Sequence, residues 1–129
     1  MENQERISGF WQKSADLDFA AAQDLFKSEK YPHSLFFMHL ALEKILKALY
    51  VKIRQSYPPR SHNLKYLVGQ MDLIIPERLC AYLPEIDSFN IEARYPDEKF
   101  EFYQKCTRQF AVKYEKIIRE LFGWLKKKL

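Results

Sequence analysis

Hydrophobic positions along this chain recur every three or four residues and nowhere alternate, which predicts an all-α protein. The clearest run is Phe100, Tyr103, Thr107, Phe110, Tyr114, Ile117, Leu121 and Trp124. Such a seam predicts one long helix buried in a bundle or against a second chain. Asp97 is a good N-cap for it, Glu98 and Glu101 suit its first turn, and Pro96 biases Tyr95 away from the helical region.

A second helix is expected from Pro32 to about Arg54. It is apolar on nearly every side, through Leu35, Phe36, Met38, Leu42, Ile45, Leu46 and Leu49, so it should be central. Its one polar stripe is His39, Glu43 and Lys47, spaced by fours, with Glu43 N-terminal to Lys47 as a favourable ion pair requires. Before it, Ser14 can cap a helix ending near Ser28, whose small Ala20 and Ala21 permit close packing. Ile7, Phe10 and Trp11 lie ahead of that cap. Either the helix begins sooner or these side chains fold back on the bundle.

Tyr57-Pro58-Pro59-Arg60-Ser61 cannot stay helical, and Ser61 or Asn63 can then cap a short helix holding Leu64, Leu67 and Met71. Pro76 opens another through Leu83, which Pro84 interrupts. Ile86, Phe89 and Ile91 lead on to the junction Ala93-Arg94-Tyr95-Pro96-Asp97. The prediction is a single domain over residues 1–129, an up-and-down bundle of four to five main helices with short extra helices.

Composition adjusts this picture only slightly. A chain of 129 residues, 47% hydrophobic, buries one core comfortably. The net charge of +4 hints at nucleic acid, but Lys126, Lys127 and Lys128 supply three of those charges, where they also suit a helix C-terminus. Cys80 and Cys106 have no metal or redox spacing and no signal-peptide pattern opens the chain, so a reducing cytoplasm is expected. No apolar run approaches the roughly 18 residues of a membrane span, and no membrane association is expected.

Candidate chemistry is sparse. There is no glycine-rich phosphate loop, no GxSxG elbow and no HExxH pair, and His33, His39 and His62 lack ligand spacing, so neither a metal nor a cofactor is expected. What remains is a possible cleft. Asn90 lies one helical turn before Arg94, and with Glu43 and Lys47 the two would suit phosphate, arginine serving as the bidentate donor. The bland alternatives are a solvated ion pair for Glu43 and Lys47, and a helix-capping or Asp97/Glu98-paired role for Arg94.

Several segments in order resemble the HEPN family: Asp24-Leu25 in an alanine-rich helix, Tyr31-x-x-Ser34-x-Phe36-Phe37, then Leu42-Glu43-Lys44-x-x-Lys47-Ala48-Leu49. Ser61-His62-Asn63-Leu64 and Ala93-Arg94-Tyr95-Pro96-Asp97 complete the set. The resemblance implies a helical homodimer with a polar cleft at its interface. It also implies a minimal nucleotidyltransferase as partner in a two-gene toxin-antitoxin module, and binding of a nucleotide such as ATP, or of RNA. The family's ribonucleases resemble Arg-x(4 to 6)-His, often followed by x-Tyr. Here Arg94 is in place and Tyr103 stands where that tyrosine would be, but Glu101 replaces the histidine.

Without imidazole, acid/base work near neutral pH would fall to Glu101 or Tyr103, and carboxylates and phenols titrate far from there. Only the fold could bring His39 or His62 close. The expectation is therefore a protein that binds rather than cuts. The alternatives are a metal-independent endoribonuclease with an atypical acid/base and a purely structural helical dimer. Tyr103 is a candidate acceptor for nucleotidylation by the partner, against a plainer reading as a core position of the last helix.

Overall fold

The structure, a computed structural model, describes residues 2–129, which form helices joined by turns, with no strand among them. The long elements are α1 (Glu2–Lys27), α2 (Tyr31–Arg54) and α7 (Arg108–Lys126); α6 (Pro96–Lys105) is intermediate. Three short helices, α3 (Leu64–Gln70), α4 (Glu77–Cys80) and α5 (Leu83–Asp87), and a 3-10 turn at Ile91–Ala93 fill the stretch between. No helix among the described residues is long and apolar enough to cross a membrane.

The helix expected from Ser14 begins a dozen residues earlier, at Glu2, so Ile7, Phe10 and Trp11 lie on α1 and not in a fold-back. The reason is a heptad of small residues. Ser8, Ala15 and Ala22 are all buried, and on the antiparallel α2 they face Ser34, Ala41 and Ala48, also buried. The register is fixed at both ends by hydroxyls: Ser8 Oγ donates to Ala48 O at 3.0 Å, and Ser34 Oγ donates to Ala22 O at 2.8 Å. Small side chains on both helices let the backbones approach closely enough for these bonds. A left-handed Glu29, φ 62°, closes the tight turn between the helices.

Helix α2 has the boundaries its pattern predicts and is the core of the molecule. Leu35, Met38, Leu42, Ile45, Leu46 and Leu49 are all buried, and α1, α3 and α7 pack around it. Gln55 ends it in the left-handed region, φ 56°, before the Pro58-Pro59 break. Asn63 caps α3, its side chain accepting from Tyr66 N at 2.8 Å. Pro84 does not interrupt a helix: it sits in the first turn of α5, where proline is tolerated, and the break falls at Ala81–Tyr82.

The single long C-terminal helix is two helices. Cys106 and Thr107 separate α6 from α7, and Thr107 Oγ1 accepts from Phe110 N at 3.2 Å as the new N-cap. This cap outweighs the periodicity that runs through it. Asp97 likewise lies inside the first turn of α6, with Tyr95 as the cap residue. Helix α7 buries Ala111, Tyr114, Ile118, Leu121, Phe122 and Leu125; it packs on α2, Phe122 stacks on Phe19 of α1 at 4.5 Å between centroids, and Tyr114 meets Phe89 edge-on at 5.1 Å. Helix α6 buries Phe102 alone, which packs on Phe89, while Phe100 and Tyr103 are exposed. Tyr103 is therefore not a core residue. Glu85 of α5 ties the α6–α7 junction down, accepting from Tyr114 Oη at 3.1 Å and from Lys105 Nζ at 3.2 Å.

Candidate functional site

Three local structures converge on one face. The chain after Pro58-Pro59 bends at Arg60, runs without regular structure to Asn63 and lays His62 over the polar stripe of α2; α5 and the 3-10 turn then bring Asp87, Asn90 and Ala93 beside it. Arg94 ends the 3-10 turn in extended conformation, φ −108° and ψ 154°, which its neighbour Tyr95 continues ahead of Pro96. The result is an open groove of about 350 Å³, lined by His62, Asn63, Asp87, Asn90, Arg94 and Glu98, with Ala93 between.

Asn90 and Arg94 both line the groove, though a 3-10 turn and extended backbone, not a shared helical face, bring them there. Arg94 is only loosely engaged, its Nη1 lying 3.9 Å from Glu98 Oε2, so the guanidinium keeps most of its donor capacity. Asp87 is already committed, since its Oδ1 accepts from Leu64 N at 2.7 Å.

Glu43 and Lys47 stand differently. Glu43 is 4% exposed and Lys47 6%, and Lys47 Nζ donates to Glu43 Oε2 at 3.0 Å. The predicted ion pair exists, but it is buried. Lys47 is withdrawn under α1, with Nζ 5.3 Å from the Trp11 ring centroid, and does not line the groove. Its charge balances Glu43, whose other oxygen, Oε1, lies 2.9 Å from His62 Nδ1. Glu43 therefore serves the groove through His62, whose side chain is 67% exposed.

Glu101 and Tyr103 do not line the groove. Both are on α6; Tyr103 stacks on His33, 6.0 Å between ring centroids. The residue that spacing did not assign is His62. Its only sequence signal is its place in the Ser61-His62-Asn63-Leu64 turn, and the bond to Glu43 spans nineteen positions. His39, the other candidate, is fully buried, with Nε2 3.3 Å from His62 O and 3.8 Å from Asp87 Oδ1. It braces the turn from beneath.

Residues 8–129 match the HEPN domain family. Among solved structures, TT1696 from Thermus thermophilus is similar over 95% of this chain and 98% of its own, with a TM-score of 0.79 and 22% identity. At that identity the likeness establishes a shared fold. No curated protein matches the chain.

Proposed function

This chain belongs to the HEPN family, and from that premise we propose that its Arg94 groove binds the phosphate of a nucleotide or of RNA. The observation that carries the reading is the convergence of Arg94, Asn90 and His62 on one open groove, with the guanidinium held only loosely by Glu98. Arginine offers a planar pair of donors that matches two phosphate oxygens, and an ion pair at 3.9 Å is weak enough for phosphate to displace. The proposal includes the homodimer and the minimal nucleotidyltransferase partner of a toxin-antitoxin module. Phe10 and Leu17, seven residues apart on α1 and 69% and 63% exposed, support a protein-facing surface.

Fluorescence anisotropy with labelled ATP and a short labelled RNA tests the binding. Removing one charge-assisted phosphate contact weakens binding by roughly tenfold to a hundredfold, so Arg94→Ala should do so. Equal affinities for wild type and variant would end the reading.

His62 favours a second reading, a metal-independent endoribonuclease. Glu43 engages Nδ1, which fixes the ring and leaves Nε2 as the nitrogen available to a reacting hydroxyl, the arrangement of an oriented acid/base. The imidazole absent from the Arg94 motif would then come from another loop. Cleavage of total RNA in chelator, lost in both Arg94→Ala and His62→Ala, would establish it; an intact substrate rejects it.

A further inference from the structure

The Arg94 groove continues past His62 into a second hollow of about 220 Å³. His62, Asn90 and Ala93 line both spaces, and the new walls are Phe36, Leu40 and Glu92. The two spaces differ in chemistry. Where the groove is ringed by charged and amide groups, the hollow has an aromatic ring and a half-buried leucine from α2 along one side and the Ala93 methyl on another. Its polar groups are three, His62 and Asn90 where it meets the groove and Glu92 beyond them. Apolar walls with a few placed polar groups, opening into a site with a loosely held guanidinium, match a nucleobase joined to a phosphate.

The polar groups also select among bases. A carboxylate only accepts hydrogen bonds, and it accepts two side by side from a donor pair of matching spacing. Guanine presents such a pair on its Watson–Crick edge, N1–H beside the N2 amino group, whereas adenine and cytosine offer one amino group and uracil one imide N–H. Glu92 takes part in no ion pair among the described residues, so its oxygens are free for this role.

We propose that this hollow is the base subsite of the Arg94 groove and that the ligand is a guanosine phosphate, free or as an RNA residue. The phosphate lies against Arg94, the base rests on Phe36 and Leu40, and Glu92 accepts from N1–H and N2–H. Asn90, which lines both spaces, hydrogen-bonds at the junction. The inference rests on the phosphate reading above and adds the base to it.

Calorimetric titration with GMP, AMP, CMP and ribose 5-phosphate separates the two. GMP should bind about tenfold or more tightly than the other three, the gain of one paired charge-assisted contact. Glu92→Gln, at an exposed position, should shrink the GMP-to-AMP ratio to about threefold or less, and Leu40→Trp, which fills the hollow, should shrink the GMP-to-ribose 5-phosphate ratio likewise. If GMP and ribose 5-phosphate bind equally in wild type while Arg94→Ala weakens both, the subsite is overturned and the phosphate site stands. Equal binding of GMP and AMP overturns the guanine assignment. Absence of binding by all four overturns both proposals.

Discussion

Glu43 and His62 meet at 2.9 Å although the first is sealed inside α2 and the second lies on an exposed loop. The carboxylate is shared, one oxygen toward His62 and the other toward the buried Lys47. Removing it strands a cation in a space nearly closed to water. Glu43→Ala should therefore cost about 3–5 kcal/mol, as loss of one partner of a buried pair does. His62→Ala, which removes an exposed ring, should cost under about 1 kcal/mol. Urea titration of both variants measures the difference, and similar costs would mean that Lys47 does not depend on Glu43.

The stripe of small residues between α1 and α2 allows no larger side chain. Ala22 is fully buried and its carbonyl accepts from Ser34 Oγ. Ala22→Leu should destabilise by about 1–3 kcal/mol through overpacking, despite leucine's good helix propensity. The same substitution at the exposed Ala20 should be neutral within about 0.5 kcal/mol. Thermal melts of the two variants test the contrast.

Thr107 starts α7 with a side-chain cap. Thr107→Ala should lower stability by about 1 kcal/mol, and Thr107→Ser should retain most of the wild-type value because serine caps as well. A Thr107→Ala variant as stable as wild type would show that the break between α6 and α7 is held by Glu85 instead.

Burial pushes the Cys106 thiol from its ordinary 9.0 up to about 12, and burial with the neighbouring Glu85 raises the Tyr114 hydroxyl too. Both groups are held neutral by the fold and ionise more readily once unfolded. Their contribution is complete below the ordinary thiol value and is lost as pH climbs from 9 toward 12. The melting temperature should accordingly fall across alkaline pH, and less steeply in Cys106→Ala; parallel curves for the two proteins would contradict this.

Tyr103, 39% exposed on α6, can be reached by another protein's active site. As part of the proposed partnership, incubation with a minimal nucleotidyltransferase and ATP should add one nucleotidyl mass to the intact protein, and Tyr103→Phe should abolish the gain. An unchanged mass in wild type removes Tyr103 from consideration as an acceptor.

Local chemistry explains which parts of this architecture were legible in the sequence. Pro32 and the Pro58-Pro59 break bracket α2, and its all-round apolar surface marks it as central, because proline and burial both write directly into composition. The start of α1 was hidden: among the described side chains of its first two turns only Ser8 is buried, a residue no hydrophobic pattern counts. The α6–α7 break was hidden for the opposite reason, since threes and fours continue through Thr107 while a single cap hydrogen bond redirects the axis. At the site, Asn90 and Arg94 do meet in one groove, but across a 3-10 turn and not along the helical turn that their spacing suggests. Lys47 was misplaced because spacing fixes its partner but not its depth, and His62 was missed because a loop, not a helix, carries it to Glu43.

Helix α6 carries one wall of the groove through Glu98, yet only Phe102 anchors it in the core. This rim of the groove and the core therefore belong to different parts of the chain. Amides of α6 can exchange with solvent by local opening, while those of α2 must await global unfolding. Changes at Glu98 and its exposed neighbours therefore reshape this rim at almost no cost to the helix pair on which the rest of the molecule is built.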